Sequence, residues 1–245
     1  MSLIIFIIGL LFGSFYNVCI YRISEGKSVV WPASHCPKCQ AKLKPWENIP
    51  IVSFVFLRGK CGHCKSNISF QYPVIEFITG VMFLSVYFKY DFTFDFYKTV
   101  ILLSIVLIAV VIDIKKMILP DRLTLGMIVV GLILSLFPSN MVDPWSSFMG
   151  AALFAFPFFL VYTFSEAIYG KEVFGFGDVK FAAGIGAFLG YIDFHMLYMY
   201  FLYTFILGAI YAIIAIKLGK KGRQTQIPFA PFMAVALVIV IIQFF

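Results

Sequence analysis

Two aspartates stand where an acid is costly. Asp113 closes the apolar run YKTVILLSIVLIAVVID, just before Ile114-Lys115-Lys116, and Asp178 follows Gly175-Phe176-Gly177. Ionisable residues within or at the edge of membrane-type segments are expensive and read first as functional. Two carboxylates held close in a partly dry site do not both ionise. One keeps its proton while the other acts as base, which suits the activation of water against a peptide carbonyl. The glycines ahead of Asp178 remove Cβ bulk, so that a substrate backbone could approach the carboxylate. The competing account pairs Asp113 with Lys115 or Lys116 and makes Asp178 a helix N-cap. The G-x-G-D spacing alone does not decide between them.

The second chemical constellation is made of thiols. Cys36 and Cys39 form one C-x2-C pair, and Cys61 and Cys64 form another after 21 intervening residues. Four thiolates on two tight turns satisfy a tetrahedral zinc ion and leave no open position for chemistry, so the implied metal is structural. Lys38, Lys60 and Lys65 lie beside the knuckles and would offset the charge of a four-thiolate centre. A segment this short cannot build its own core, and metal would supply much of its folding energy. The alternative is four reduced thiols without metal; no thioredoxin-like βαβ pattern supports a redox role. His35 and His63 adjoin the ligands but are not needed to complete the site. Cys19, in the first apolar run, reads as a small packing residue.

The elements that must position these groups are membrane helices. The chain is 62% hydrophobic and 13% charged with a mean hydropathy of +0.97. Soluble chains carry about 25% charged residues, so an ordinary cytosolic enzyme, a disordered chain and a secreted disulfide scaffold are excluded. Apolar runs at 1–21, 72–90, 96–114, 122–138, 146–169, 178–191, 195–217 and 228–245 predict about eight transmembrane helices. Residues 178–217 as one helix would be about 60 Å long, so Gly190-Tyr191-Ile192-Asp193 is expected to be a tight hairpin. The expected architecture is an all-α polytopic membrane protein with no internal repeat. It comprises a first span (1–22), a cytoplasmic zinc-knuckle insert (23–71) and a core of seven spans (72–245). The first apolar run lacks a basic start and an A-x-A site, and is expected to remain as a span.

Sidedness follows from the 19 basic residues. Odd-numbered loops hold 17 of them and even-numbered loops two, which places the odd loops in the cytoplasm and both termini outside. The net charge of +7 is then topological, and no nucleic-acid partner is required. Both Asp113 and Asp178 fall at cytoplasmic helix ends under this topology, although neither was used to set it. Among the other charged residues, Asp121 is expected to open the fourth span as a turn or cap. Glu76 is expected at the interface, and Glu166 to pair with Lys171. Arg22 is expected to snorkel to the headgroups. His195 falls at an outer loop with no evident role.

Taken in order, these residues resemble the type IV prepilin peptidases, membrane aspartyl proteases that mature pilin-like precursors. The resemblance runs through Gly9-Leu10, Gly13-Ser14-Phe15-Tyr16-Asn17-Val18 and Arg22, then Cys36-Pro37-Lys38-Cys39 and Trp46-Glu47-Asn48-Ile49-Pro50. It continues through Arg58-Gly59-Lys60-Cys61, Tyr72-Pro73-Val74-Ile75-Glu76, Asp113, Leu119-Pro120-Asp121-Arg122-Leu123-Thr124, Gly175-Phe176-Gly177-Asp178-Val179-Lys180 and Ile227-Pro228-Phe229-Ala230-Pro231-Phe232. Phe176 and Ala230 depart from the family's usual smaller residues. The resemblance implies that Asp113 and Asp178 are the catalytic pair, cutting after a glycine at the end of a short basic leader on prepilin or pseudopilin precursors. It also implies N-methylation of the new terminus with S-adenosylmethionine as donor, with Gly59 and Glu76 as candidate donor-site residues and Asn17 and Arg22 behind them. The implied home is the cell's inner membrane, with the active site at the cytoplasmic face. The rival accounts are a peptidase without methyl transfer, a transporter, and a non-catalytic pilin-assembly protein.

Overall fold

The computed structural model describes residues 1–31, 33–137, 142–169, 174–218 and 227–245. The expected Glu166–Lys171 pair lies outside the described residues, as do the basic residues Lys220, Lys221 and Arg223. The described residues are helical, with isolated bridges and no strand. Eight long helices fall on the eight expected apolar runs, and five of them are long and apolar enough to cross a membrane. These five are α1 (Ser2–Ser24), α3 (Gln71–Tyr90), α4 (Phe94–Lys116), α6 (Pro144–Tyr169) and α8 (Phe194–Lys217). The other three are α5 (Asp121–Leu134), α7 (Phe176–Leu189) and α9 (Ala230–Phe244), of 14, 14 and 15 residues. At 1.5 Å per residue such helices reach about 21–23 Å, short of the roughly 30 Å hydrocarbon layer. A ninth, α2 (Val52–Phe56), is a single turn in the insert.

The chain divides into two compact units, Met1–Ser104 and Ile105–Phe245. In the first, α1 packs along α3 through small residues. A Cβ added to Gly9 would sit 2.8 Å from the Gly80 Cα, and one added to Gly13 would sit 2.6 Å from the Glu76 Cα. Gly9 and Gly13 are a G-x3-G pair, the spacing that lets two helix backbones approach where lipid offers no hydrophobic drive for association. The insert between these helices has little interior. Among its described residues from Ala33 to Phe70, only Cys36, Pro50 and Cys61 are buried.

The structure corrects the expectation for Arg22, which is 5% exposed. Its guanidinium donates to the carbonyls of Ser28 and Val29, at 3.3 and 2.9 Å, and so fastens the chain leaving α1. Two nearby backbone acceptors satisfy the charge locally, and it does not reach out to headgroups.

In the second unit α7 is the central helix. It packs on α6 and α5, and Val179, Phe181, Ala182 and every residue from Gly184 to Leu189 are buried. Close approach again rests on small residues: a Cβ on Gly184 would meet Met127 of α5 at 2.9 Å, and one on Gly131 of α5 would meet Ala187 at 2.9 Å. On the other side Gly150 of α6 lies directly against Gly186. The α7–α8 hairpin is where the polar break predicts it. Gly190 closes α7 with φ +70°, and the Asp193 carboxylate caps α8 by accepting from the Met196 N–H at 2.6 Å.

Candidate functional site

Asp113 stands three residues before the end of α4 and is 5% exposed. Its Oδ2 accepts from the Ala230 N–H at 3.0 Å. Ala230 is the first residue of α9, where a helix leaves its early N–H groups without intrahelical partners. A helix start is therefore spent on holding one carboxylate. Asp178 is in the first turn of α7, which begins after Gly175, so it is not the N-cap. Its carboxylate is near enough to that of Asp113 for the two to interact electrostatically. The structure thus brings together two acids that lie 65 positions apart in the chain.

The two glycines before Asp178 differ in what they do. Gly175 has φ −77° and ψ 132°, a backbone open to any residue, but a Cβ there would lie 3.3 Å from the Asp178 Oδ2. A Cβ on Gly177 would instead meet the Leu119 Cβ at 3.1 Å. The first glycine keeps space beside the carboxylate; the second lets α7 pack on the segment leading into α5.

Asp121 opens α5 as its first residue, in the first turn after the N-cap Pro120, which makes no side-chain cap bond. Asp121 forms an ion pair with Lys180 of α7, and the same ammonium lies 5.5 Å from the centre of the Phe176 ring. This pair ties the start of α5 to the turn that carries Asp178. Tyr200 of α8, absent from the sequence-derived candidates, is fully buried, and its hydroxyl has no hydrogen-bond partner among the described residues. Its only sequence signal was a polar atom inside an aromatic run. His195 packs its ring against Phe244, 5.6 Å between centres, and has no place at the site.

The four thiols form the other polar centre. The sulfurs of Cys36, Cys39, Cys61 and Cys64 all lie within 4.8 Å of one another, with Cys36 and Cys64 at 3.9 Å. A tetrahedral ion with 2.3 Å bonds to sulfur needs separations of about 3.8 Å, so the donor set fits a metal ion. The two knuckles share one backbone design. Cys36 N–H donates to Ala41 O at 2.9 Å and Cys61 N–H to Ser66 O at 2.8 Å; Gln40 and Lys65, each one residue past the second thiol, have φ 60°. The Ser66 hydroxyl, 3.2 Å from the Cys64 sulfur, is the main cause pulling that thiol down to about 6, toward the thiolate a metal requires. The histidines face elsewhere: His35 bonds the Ala33 carbonyl, and His63 lies 3.8 Å from the Glu47 carboxylate.

Glu76, five residues into α3, is buried at 6% exposure. Its Oε2 accepts from the Ile51 N–H at 2.7 Å. Asn17 is likewise buried and donates to the carbonyls of Gly13 and Tyr72 while accepting from Gln71. Gly59 has φ +67° and faces the Phe54 ring, and its carbonyl accepts from Ile68 N–H at the start of the second knuckle's return. Glu76 and Gly59 thus both have folding roles.

The molecule is therefore a helical membrane protein with two polar centres, two neighbouring carboxylates among its helices and a four-thiol insert. Its relatives give that class a family. A bacterial peptidase A24 N-terminal domain matches residues 7–90, and the type IV leader peptidase family matches residues 100–213. The chain belongs to the type IV leader peptidase family. A prepilin leader peptidase/N-methyltransferase of Bacillus subtilis (strain 168) is 34% identical over 231 residues, covering 94% of this chain and 90% of the relative. Proteins of the same name from Neisseria gonorrhoeae and Klebsiella pneumoniae are 35% and 36% identical, covering 75% and 76% of this chain and 72% and 84% of theirs. No solved structure matches it significantly.

Proposed function

We propose that this protein is a prepilin leader peptidase and N-methyltransferase of the inner membrane, with Asp113 and Asp178 as the hydrolytic pair. What supports the reading is that the two carboxylates lie near enough to interact, with Asp113 held by the Ala230 N–H and Asp178 beside a glycine that puts no side chain against it. One carboxylate takes a proton from water as its oxygen attacks the scissile carbonyl carbon, and the other, protonated, gives its proton to the carbonyl oxygen. Collapse of the tetrahedral intermediate breaks the C–N bond. The proton taken from water goes to the leaving amine, and the carboxyl that donated recovers its own from the intermediate's hydroxyl.

Eight spans with both termini outside would put the pair at the cytoplasmic interface. A precursor with a basic leader in the cytoplasm and an apolar helix in the bilayer presents its scissile bond there. Zinc held by Cys36, Cys39, Cys61 and Cys64 is structural in this reading, since four protein ligands leave it no open position. The methyl-transfer half rests on the family relationship, with S-adenosylmethionine as the implied donor, and no residue here is assigned a step in it.

The test is cleavage of a pilin-like precursor in reconstituted membranes by the unaltered protein, Asp113→Asn and Asp178→Asn, each monodisperse and membrane-inserted. Cleavage only by the unaltered protein is the expected result. Cleavage by either folded variant refutes the pair, and a failure of all three on several precursors favours a binding or assembly protein.

A further inference from the structure

Residues 23–71 contain a second apolar surface for which the peptidase reading has no use. The turn α2 directs Phe54 inward, onto Phe70 with ring centres 6.0 Å apart, while Val55 and Phe56 are 66% and 83% exposed. Val52, Trp46 and Phe70 are exposed beside them. Between this turn and α3 runs an apolar groove of about 310 Å³, lined by Ile51, Phe70, Pro73, Val74, Phe77 and Ile78. Water is a poor solvent for such a surface, and patches of this kind mark a contact with a partner or a membrane.

The height of α2 identifies the partner. Its N-cap, Ile51, is bonded through its N–H to Glu76, five residues after α3 begins at Gln71. At 1.5 Å per residue that is about 7.5 Å along the helix axis, so α2 lies beside the first turns of a helix long and apolar enough to span, the level at which interfacial helices rest where such a helix enters the bilayer. The outward side chains Val74, Phe77, Ile78 and Val81 of α3 are exposed along the same helix, so the groove is continuous with the surface a spanning helix offers to lipid. Charge agrees: residues 23–71 hold seven lysines and arginines against two glutamates, which favours an anionic leaflet.

We propose that α2 is a membrane-surface anchor, with Val52, Val55 and Phe56 inserted at the headgroup–acyl boundary of the bilayer that α3 crosses, holding the four-cysteine insert against it. Glu76 sets the depth of the anchor by fixing Ile51, whose φ of 59° is uncommon for a β-branched residue and turns the chain into α2. The inference rests on α3 spanning the membrane and requires nothing of the catalytic pair.

The test uses the full chain with Trp31, Trp46 and Trp145 changed to Phe, and a single reporter introduced by Phe56→Trp. Val55→Trp serves as a second reporter should the first not fold, and Lys42→Trp, at an exposed knuckle position, is the reference. Each protein is reconstituted in phosphatidylglycerol vesicles containing phosphatidylcholine brominated near the top of its acyl chains. The expected result is at least twofold stronger bromine quenching at position 56 or 55 than at 42, with the reverse order for aqueous iodide. Bromine quenching no stronger than at 42 overturns the anchor. Free access of iodide then means that the turn stands in water, and no access means that protein covers it.

Discussion

Replacing Glu76 tests how the insert is held. Glu76→Ala removes the acceptor of the 2.7 Å bond from Ile51 N–H and leaves that half-buried N–H without its partner. Such a loss costs about 1–3 kcal/mol. Ile51 also holds φ 59°, a strain of roughly 1–3 kcal/mol that persists only while its surroundings enforce it. With the latch gone the chain can relax out of that conformation, and the cost falls on α2. The amides that report it are Val55, bonded to the Ile51 carbonyl at 3.0 Å, and Leu57, bonded to the Ser53 carbonyl at 2.9 Å. Their hydrogen exchange should accelerate about tenfold to a hundredfold in Glu76→Ala, as about 1.4–2.8 kcal/mol requires. Glu76→Gln keeps a carbonyl acceptor of similar reach and should show less than about a tenfold change. Exchange mass spectrometry on reconstituted protein makes the comparison, with buried amides of α7 such as Ile185 as the internal standard. Acceleration under twofold at Val55 and Leu57 would refute the latch. Equal acceleration in α7 would mean general destabilisation.

Chelation of the metal should abolish exchange protection across residues 34–68 while α1 and α3 keep theirs, because only Cys36, Pro50 and Cys61 are buried in that stretch; metal release and exchange measured together check it. Lys180→Met, which breaks the ion pair with a 65%-exposed Asp121, should cost under about 1 kcal/mol of stability. It should nevertheless lower the cleavage rate with little change in substrate affinity, since the pair holds the turn bearing Asp178, and kcat and KM read separately decide it. Gly13→Val must push α1 from α3, where even a Cβ would lie 2.6 Å from the Glu76 Cα. A loss of about 1–3 kcal/mol in detergent unfolding is expected, with Gly126→Val, where nothing lies within 4 Å of an added Cβ, as the neutral comparison.

The helix positions were readable because each depends on its own segment: apolar length sets a run, and Gly190 and Asp193 mark the turn between α7 and α8. The thiol cluster was readable for the same local reason, two C-x2-C turns that need only be brought face to face. What was not legible concerns which distant group approaches. Arg22 finds carbonyls six and seven residues on, in a segment whose path hydropathy does not determine. Glu76 meets an N–H from the middle of the insert, and Asp121 meets a lysine 59 residues away. Hydropathy alone gives a charged residue a depth but no neighbour, so it defaults to the interface. The donor to Asp113 was hidden more deeply, because a backbone N–H at Ala230 has no side-chain signature. Gly9 and Gly13, by contrast, carried a legible packing signal in their spacing that composition counts pass over.

The glycines of the Gly175-Phe176-Gly177-Asp178 turn separate packing from chemistry. Gly175 needs no glycine for its backbone, since φ −77° and ψ 132° is extended conformation open to any residue. It also precedes the buried part of α7, which begins at Val179. Gly175→Ala should therefore leave the unfolding transition within about 0.5 kcal/mol of the unaltered protein. The new methyl would stand 3.3 Å from the Asp178 Oδ2, on the side by which the proposed reaction brings water or a substrate carbonyl. A misplacement near 1 Å at a reacting centre can cost about a hundredfold, so cleavage should fall by between about tenfold and a hundredfold at saturating precursor. Gly177→Ala acts in the other sense. Its methyl meets the Leu119 side chain at 3.1 Å, a contact that yields a few tenths of an ångström at a cost near 1 kcal/mol. It should lower stability more than rate. If Gly175→Ala cut at the unaltered rate, the space beside Asp178 would not be the path of the reacting groups. The carboxylate would then have to be approached from the side of Asp113, with the glycine turn left as a feature of packing alone.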